Sequence, residues 1–311
     1  MTLDNHHLSA LWFRRKGRPP HQFLALLKQG MKNFVNEIMF YDQANRQNVG
    51  LRLAFLTQVI REQTGSVVQH GILKGYAVPP GVWAEYISGA YILGIYEVAV
   101  CALLDHLRKT RRSFVDIGAA DGLYGLGLVA TGAFDRSFCF ELDRDQLDRL
   151  AARADALGIA QRIRFAGEAN ANLAATLADS GFALDDTVIL CDIEGAEFHL
   201  FDEALLHSLS AAHVIIELHE WVAGPAESTN ALEGLIRRAG KHFHVRIIDD
   251  GLRDMRGLTM LRGWSDWDTW LLCAEGRGRL MSWLWLSPLD EVPLGAGDID
   301  ALVLEYQRSF R

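Results

Sequence analysis

The sequence predicts an α/β fold: a Rossmann-like parallel sheet with helices on both faces, preceded by an N-terminal helical extension. Three observations carry this. From Ser113 onward short apolar runs alternate with amphipathic segments; the first run ends in a turn with small residues at alternate positions, Gly118, Ala120 and Gly122; the second ends in an acidic residue, Glu141. Such alternation means parallel strands, because parallel neighbours need a crossover long enough to hold a helix.

Residues up to about Gly75 read as helical, since Phe34, Ile38, Phe55, Leu56, Val59 and Ile60 fall at spacings that share helix faces. Tyr76 to Gly81, with Pro79 and Pro80, reads as a link, so residues 1–80 form the extension, 81–276 the central domain and 277–311 a tail. Val82 to Leu104 imitates a membrane span, but Glu85 and Glu97 break it; it is read as buried helix instead. The strands expected next are Phe114 to Ile117, Ser137 to Leu142, Arg162 to Ala166, Val188 to Asp192, Val214 to Leu218 and Val245 to Ile248, with Thr269 to Ala274 as the last. A helix is expected from Leu123 to Ala130. A second, Asp145 to Leu157, places Leu147, Leu150, Ala151, Ala154 and Leu157 on one face, and Gly158 stops it. An Asp249-Asp250-Gly251 turn and a loop with Trp264 and Trp267 follow. The tail carries Trp283, Trp285 and a last helix from Asp298, and is expected to pack on the core or on another subunit.

A chain of 311 residues, half of them apolar, can bury a large core. Its net charge of −8 argues against nucleic acid as a partner, since gripping phosphates requires clustered positive charge. Cys101, Cys139, Cys191 and Cys273 lie in apolar runs without a CxxC pair, which suits small core residues in a reducing, cytoplasmic setting. The first twenty residues place the basic cluster Arg14, Arg15, Lys16 and Arg18 after a short apolar stretch, unlike a secretory signal.

The turn after the first strand, VDIGAADG, suits an adenosine-containing cofactor: small residues let the backbone bend sharply and approach a ligand closely. Turns of this kind also serve as packing devices. Glu141, about 20 residues further on, stands where a carboxylate accepts both ribose hydroxyls. Two later strand ends, VILCDIEGAE and VIIELHEW, direct Asp192, Glu194, Glu217 and His219 toward the same crevice. Glu217 and His219, two apart, share a face of an extended segment. Taken singly, Asp192 or Glu197 reads as a carboxylate at a helix N-terminus, and His219 as a core histidine.

Gly94 to Glu97 (GIYE), the VDIGAADG turn, Glu141, the DIEGAE run and the IELHE strand together resemble the FkbM-like branch of class I S-adenosylmethionine (SAM)-dependent methyltransferases. The resemblance covers about Gly89 to Glu275, and DIEGAE is its most discriminating part. It implies a seven-stranded sheet whose last strand is inserted antiparallel. It also implies that Asp116, Gly118, Ala120 and Gly122 surround the methionine and ribose, Glu141 binds the ribose, Glu168 and Ala169 flank the adenine, and Tyr96 with Glu97 closes over the methionine end. Ala120 stands where the general pattern has its middle glycine, and nothing before about Tyr76 matches.

The activity this implies is methyl transfer to oxygen, a hydroxyl or carboxyl of a small secondary metabolite or saccharide, with His219 as general base and Glu217 or Asp192 holding its tautomer. Asp192, Glu217 and His219 could instead ligate a divalent ion such as Mg²⁺. Gly118, Gly122 and Gly125 also resemble a short-chain dehydrogenase turn, but no tyrosine is followed four residues later by lysine, which weakens a nicotinamide-dependent oxidoreductase. A non-catalytic SAM-binding scaffold is the third alternative. Trp221, Trp264 and Trp267 could line an acceptor pocket, and the extension is compatible with a homodimer.

Overall fold

The computed structural model describes residues 49–79, 88–223, 225–249, 253–275 and 281–310. The expectations for Phe34, Ile38, Arg14 to Arg18, Val82 to Glu85 and the Asp250-Gly251 turn lie outside these residues, as does the side chain of Trp221. Contacts divide the chain between Arg52 and Leu53, and the unit Leu53–Arg311 holds the whole sheet.

Seven strands form that sheet: β1 (Ser113–Ile117), β2 (Arg136–Phe140), β3 (Ile163–Ala166), β4 (Thr187–Cys191), β5 (His213–Glu217), β6 (Phe243–Asp249) and β7 (Ser282–Pro288). Their order is β3-β2-β1-β4-β5-β7-β6, and β7 runs antiparallel to both neighbours while the other pairings are parallel. This is the Rossmann-like sheet of class I methyltransferases.

The chain breaks into strands where it does because both sheet faces are covered. Alternate residues feed two separate cores: Phe114, Val188, Leu190, Ile215, Trp283 and Trp285 on one side, Val115, Ile189, Val214, Ile216, Leu284 and Leu286 on the other. That double burial explains the continuous apolar runs in place of alternation. The helix Arg144–Ala156 follows from its sequence just as directly: the Asp143 side chain accepts from the Asp145 and Gln146 amides, and Leu150 and Ala154 are buried.

One expected strand is a helix. Asp266–Cys273 is α-helical, overturning the reading of Thr269 to Ala274 as the last strand. Ser265 accepts from the Asp268 amide, and Asp266 and Asp268 lie in the first turn, where the helix dipole favours them. The antiparallel insertion is real, but Ser282–Pro288 makes it, burying Trp283 and Trp285. The helix expected from Leu123 is likewise reduced to Gly127–Ala130, with turns before it.

Residues 53–64 are helical and bury Leu56 and Ile60. Tyr76 and Val78 are also core residues, and Arg153 bonds this segment to the glycine turn: its Nη2 donates to the Ala77 carbonyl at 2.9 Å and its Nη1 to that of Asp121 at 3.2 Å. No helix among the described residues is long and apolar enough to cross a membrane.

Candidate active site at the carboxyl ends of the central strands

The strand order reverses between β1 and β4, and there the carboxyl ends open into a crevice. On the β1 side the turn is built from left-handed backbone. Gly118 has φ +89° and sits against the fourth strand's exit: a β carbon on it would lie 1.9 Å from the Asp192 carbonyl oxygen. Gly122 has φ +74°, and Ala120 adopts φ 41° despite its side chain.

Carboxylates hold this turn. Asp116, at the buried end of β1, accepts the Gly125 N–H at 2.7 Å; burial outweighs that bond and raises its carboxyl to about 7. Glu141 accepts the Ala120 N–H through Oε2 and the Asp143 N–H through Oε1, both at 2.9 Å. The residue expected to receive the ribose thus also braces the turn that would surround it. Glu168 is exposed and Ala169 half-buried on the loop after β3.

On the β4 and β5 side, His219 is buried, with Nε2 3.6 Å from both Asp192 Oδ1 and Glu194 Oε2. Glu197 lies behind the ring, 3.5 Å from Nδ1. Burial alone would lower the imidazole pKa; Glu197, Glu217 and Glu194 together outweigh it and raise it. Asp192 is pushed far above the carboxylate range by burial first, then by Glu217, Glu97 and Glu194. Its side chain is 45% exposed, yet Oδ1 is buried with no hydrogen-bond partner among the described residues. Glu217 itself is buried.

Among the described residues, Asp192, Glu194 and His219 have ligand atoms within 4.8 Å of one another. Glu217 is absent from that set, which revises the ligand group read from the sequence. Glu194 reaches the position through a left-handed backbone, φ 54°.

Glu97, whose charge acts on Asp192, is buried and left-handed at φ 45°. Its Oε2 accepts the Tyr124 hydroxyl at 2.6 Å, and its amide donates to Glu275 Oε1 at 2.9 Å. Arg253 Nη2 donates to the same Glu275 oxygen at 2.5 Å. Tyr96 packs edge-on against Tyr91, centroids 4.1 Å apart. Trp264 is half-buried, whereas Trp267 is 87% exposed, so Trp267 lines no enclosed pocket. A cavity of about 10 Å³, enough for a single water, is lined in part by Tyr91, Tyr96, Tyr124 and Tyr306.

Sequence reasoning missed Tyr124, Arg253 and Glu275. Glu97 and Glu275 are 178 residues apart, and no local pattern marks such a pairing. Glu197 was visible, but only as a helix-terminal carboxylate.

No family model and no curated protein matches the chain. Among solved structures, the O-methyltransferase TomG from Streptomyces achromogenes, involved in tomaymycin synthesis and solved with SAM, is similar over 62% of this chain and 80% of its own, with 15% identity and a TM-score of 0.42. A geranyl diphosphate methyltransferase, solved with GPP and sinefungin, is similar over 78% of this chain and 99% of its own, at 12% identity and TM-score 0.40. Spermidine synthase from Thermotoga maritima is similar over 70% and 71%, at 14% identity and TM-score 0.42. None of these likenesses assigns a role to a residue of this chain.

Proposed function

We propose that the chain is a SAM-dependent methyltransferase of the FkbM-like branch that methylates an oxygen of a small molecule. The observation that carries this is the sheet order, with β7 entering antiparallel between β5 and β6 beyond a glycine turn at the β1/β4 switch point. The dinucleotide-binding sheet of nicotinamide enzymes has the order 3-2-1-4-5-6 and no such strand, so the oxidoreductase alternative has little to support it.

The residues present fit the cofactor. The left-handed backbone at Gly118, Ala120 and Gly122 bends sharply enough for the cofactor to approach it closely, Glu141 is assigned to the ribose, and Glu97 suits its positive methionine end, with Asp192 beside it as a protonated hydrogen-bond partner. Bound there, SAM supplies an electrophilic methyl group on a sulfonium. His219 then has the task of accepting the acceptor's proton at Nε2 as its oxygen attacks. Asp192, facing Nε2, and Glu217, buried beside it, are assigned to the acceptor hydroxyl in place of the tautomer role read from the sequence. Glu168 and Ala169 are assigned to the adenine end, and Tyr96 with Glu97 to the methionine end.

One observation favours a second reading of the same pocket. Two atoms 3.6 Å from His219 Nε2 stand too far for a hydrogen bond but at a separation that ligands of one divalent ion adopt. In that reading Asp192, Glu194 and His219 hold the ion, which would lower the pKa of an acceptor hydroxyl bound to it.

Calorimetric titration with SAM tests the proposal, with NADH as the comparison ligand and Glu141→Ala as the control. Saturable SAM binding weakened by Glu141→Ala is expected. Heat from NADH and none from SAM would overturn it, and SAM binding without turnover on any acceptor class would favour a scaffold.

A further inference from the structure

The role of His219, whether base or ligand, depends on which ring nitrogen carries the proton, and the structure places one residue where it can decide that. We propose that Glu197 is a positioning residue that holds His219 as the Nδ1–H tautomer and so leaves the Nε2 lone pair facing the crevice. The proposal rests on the reading of His219 given above.

Glu197 opens a helix of only four residues, Glu197–Leu200, too short for a dipole to account for a carboxylate there. Nor does it behave as a helix-end carboxylate, since it is fully buried. Both of its oxygens accept backbone amides, one local and one from the next strand's end. Oε1 accepts the backbone N–H of His219 at 2.9 Å, and Oε2 accepts that of Gly195 at 2.8 Å. One side chain therefore ties the loop after β4 to the end of β5.

The same Oε1 lies 3.5 Å from His219 Nδ1. An ionised carboxylate only accepts hydrogen bonds, so its proximity favours a proton on the nitrogen that faces it. Asp192 and Glu194, each 3.6 Å from Nε2, exert the opposite pull. The contest is settled by dielectric rather than by number. Glu197 is wholly screened from solvent and fixed by two backbone amides, while the side chains of Asp192 and Glu194 are 45% and 75% exposed even though the Asp192 Oδ1 atom itself is buried, so the single carboxylate behind the ring acts more strongly than the two in front. Remove its charge and the proton moves to Nε2, which can then neither accept a proton nor bind an ion.

This can be read without knowing the acceptor. The full chain, labelled with ¹⁵N-histidine and held at a pH high enough for the ring to be neutral, is examined by long-range ¹H–¹⁵N correlation. The His219 signal is identified by its loss in His219→Asn. The expected wild-type pattern has Nδ1 protonated and Nε2 bare. Glu197→Gln, which keeps size but not charge, should move the proton to Nε2, and once an acceptor is in hand should lower kcat about 10- to 100-fold with KM nearly unchanged. Glu197→Asp should restore the Nδ1–H pattern. A wild-type ring protonated at Nε2, or an unchanged pattern in Glu197→Gln, would overturn the proposal. The wild-type spectrum decides even if the variants fail to fold. SAM titration of the same samples separates the two ideas: an Nδ1–H ring in a protein that binds no SAM removes the function and leaves the positioning role.

Discussion

The α carbon of Gly118 faces the carbonyl of Asp192 so closely that a β carbon would lie 1.9 Å from its oxygen. This fixes the glycine turn to the fourth strand's exit. Gly118→Ala should therefore cost about 3 kcal/mol or more, from overpacking plus left-handed strain, as measured by urea unfolding, and should abolish SAM binding because Asp192 must move.

Ala120 makes the reverse case. At φ 41° it carries a penalty that glycine lacks, about 1–2 kcal/mol, against about 0.4–1 kcal/mol of extra chain entropy that glycine loses on folding. Ala120→Gly should stabilise the protein slightly, by about 0.5–1 kcal/mol, and raise its thermal midpoint while SAM binding persists.

Glu141 joins two tasks, so Glu141→Ala should show two effects. The lost bonds to the Ala120 and Asp143 amides should cost about 1–2 kcal/mol of stability. The lost ribose contact should raise the SAM Kd at least about tenfold, measured by titration at a temperature where the variant remains folded.

His219→Ala separates chemistry from binding. A drop in kcat of about 10²- to 10⁴-fold is expected, with SAM affinity changed less than about threefold. Full turnover at saturating acceptor would remove His219 from the mechanism. Undiminished turnover after exhaustive chelation would remove the divalent ion instead.

His213 gives the protein an acid-sensitive element remote from the crevice. Burial, then the charges of Arg111 and His106, lowers its pKa from 6.5 to about 3. The folded protein thus refuses a proton that the unfolded chain takes up below pH 6.5, so its contribution is full above that pH and is lost progressively as pH falls toward 3. The limit is about 1.4 kcal/mol per pH unit. His213→Phe should flatten this part of the stability profile, measured by urea unfolding at a series of pH values.

The fold was legible where burial is two-sided. β1, β4 and β5 are continuous apolar runs ending in polar residues, and the glycine turn punctuates them. The seventh strand was misplaced because Thr269 to Ala274 and Ser282–Pro288 are both short and rich in tryptophan or leucine, and composition alone does not separate them. Ser265 and the acidic first turn at Asp266 and Asp268 were the deciding signal. In the pocket, Asp192, Glu194, Glu217 and His219 could be grouped from their strand ends because topology gathers strand ends. Tyr124, Arg253 and Glu275 could not, since packing rather than periodicity brings them to Glu97, which the family resemblance alone singles out for the pocket.

The antiparallel strand between β5 and β6 bears on how the protein assembles during synthesis. Ser282–Pro288 leaves the ribosome after both of its neighbours, so β5 and β6 must wait with unpaired edges until it arrives. The nascent chain can close the β3-β2-β1-β4-β5 half of the sheet early, but its other half is completed last. Translation that stops short of residue 282 therefore yields a half-sheet with a sticky margin, which chaperones would have to hold or proteases remove.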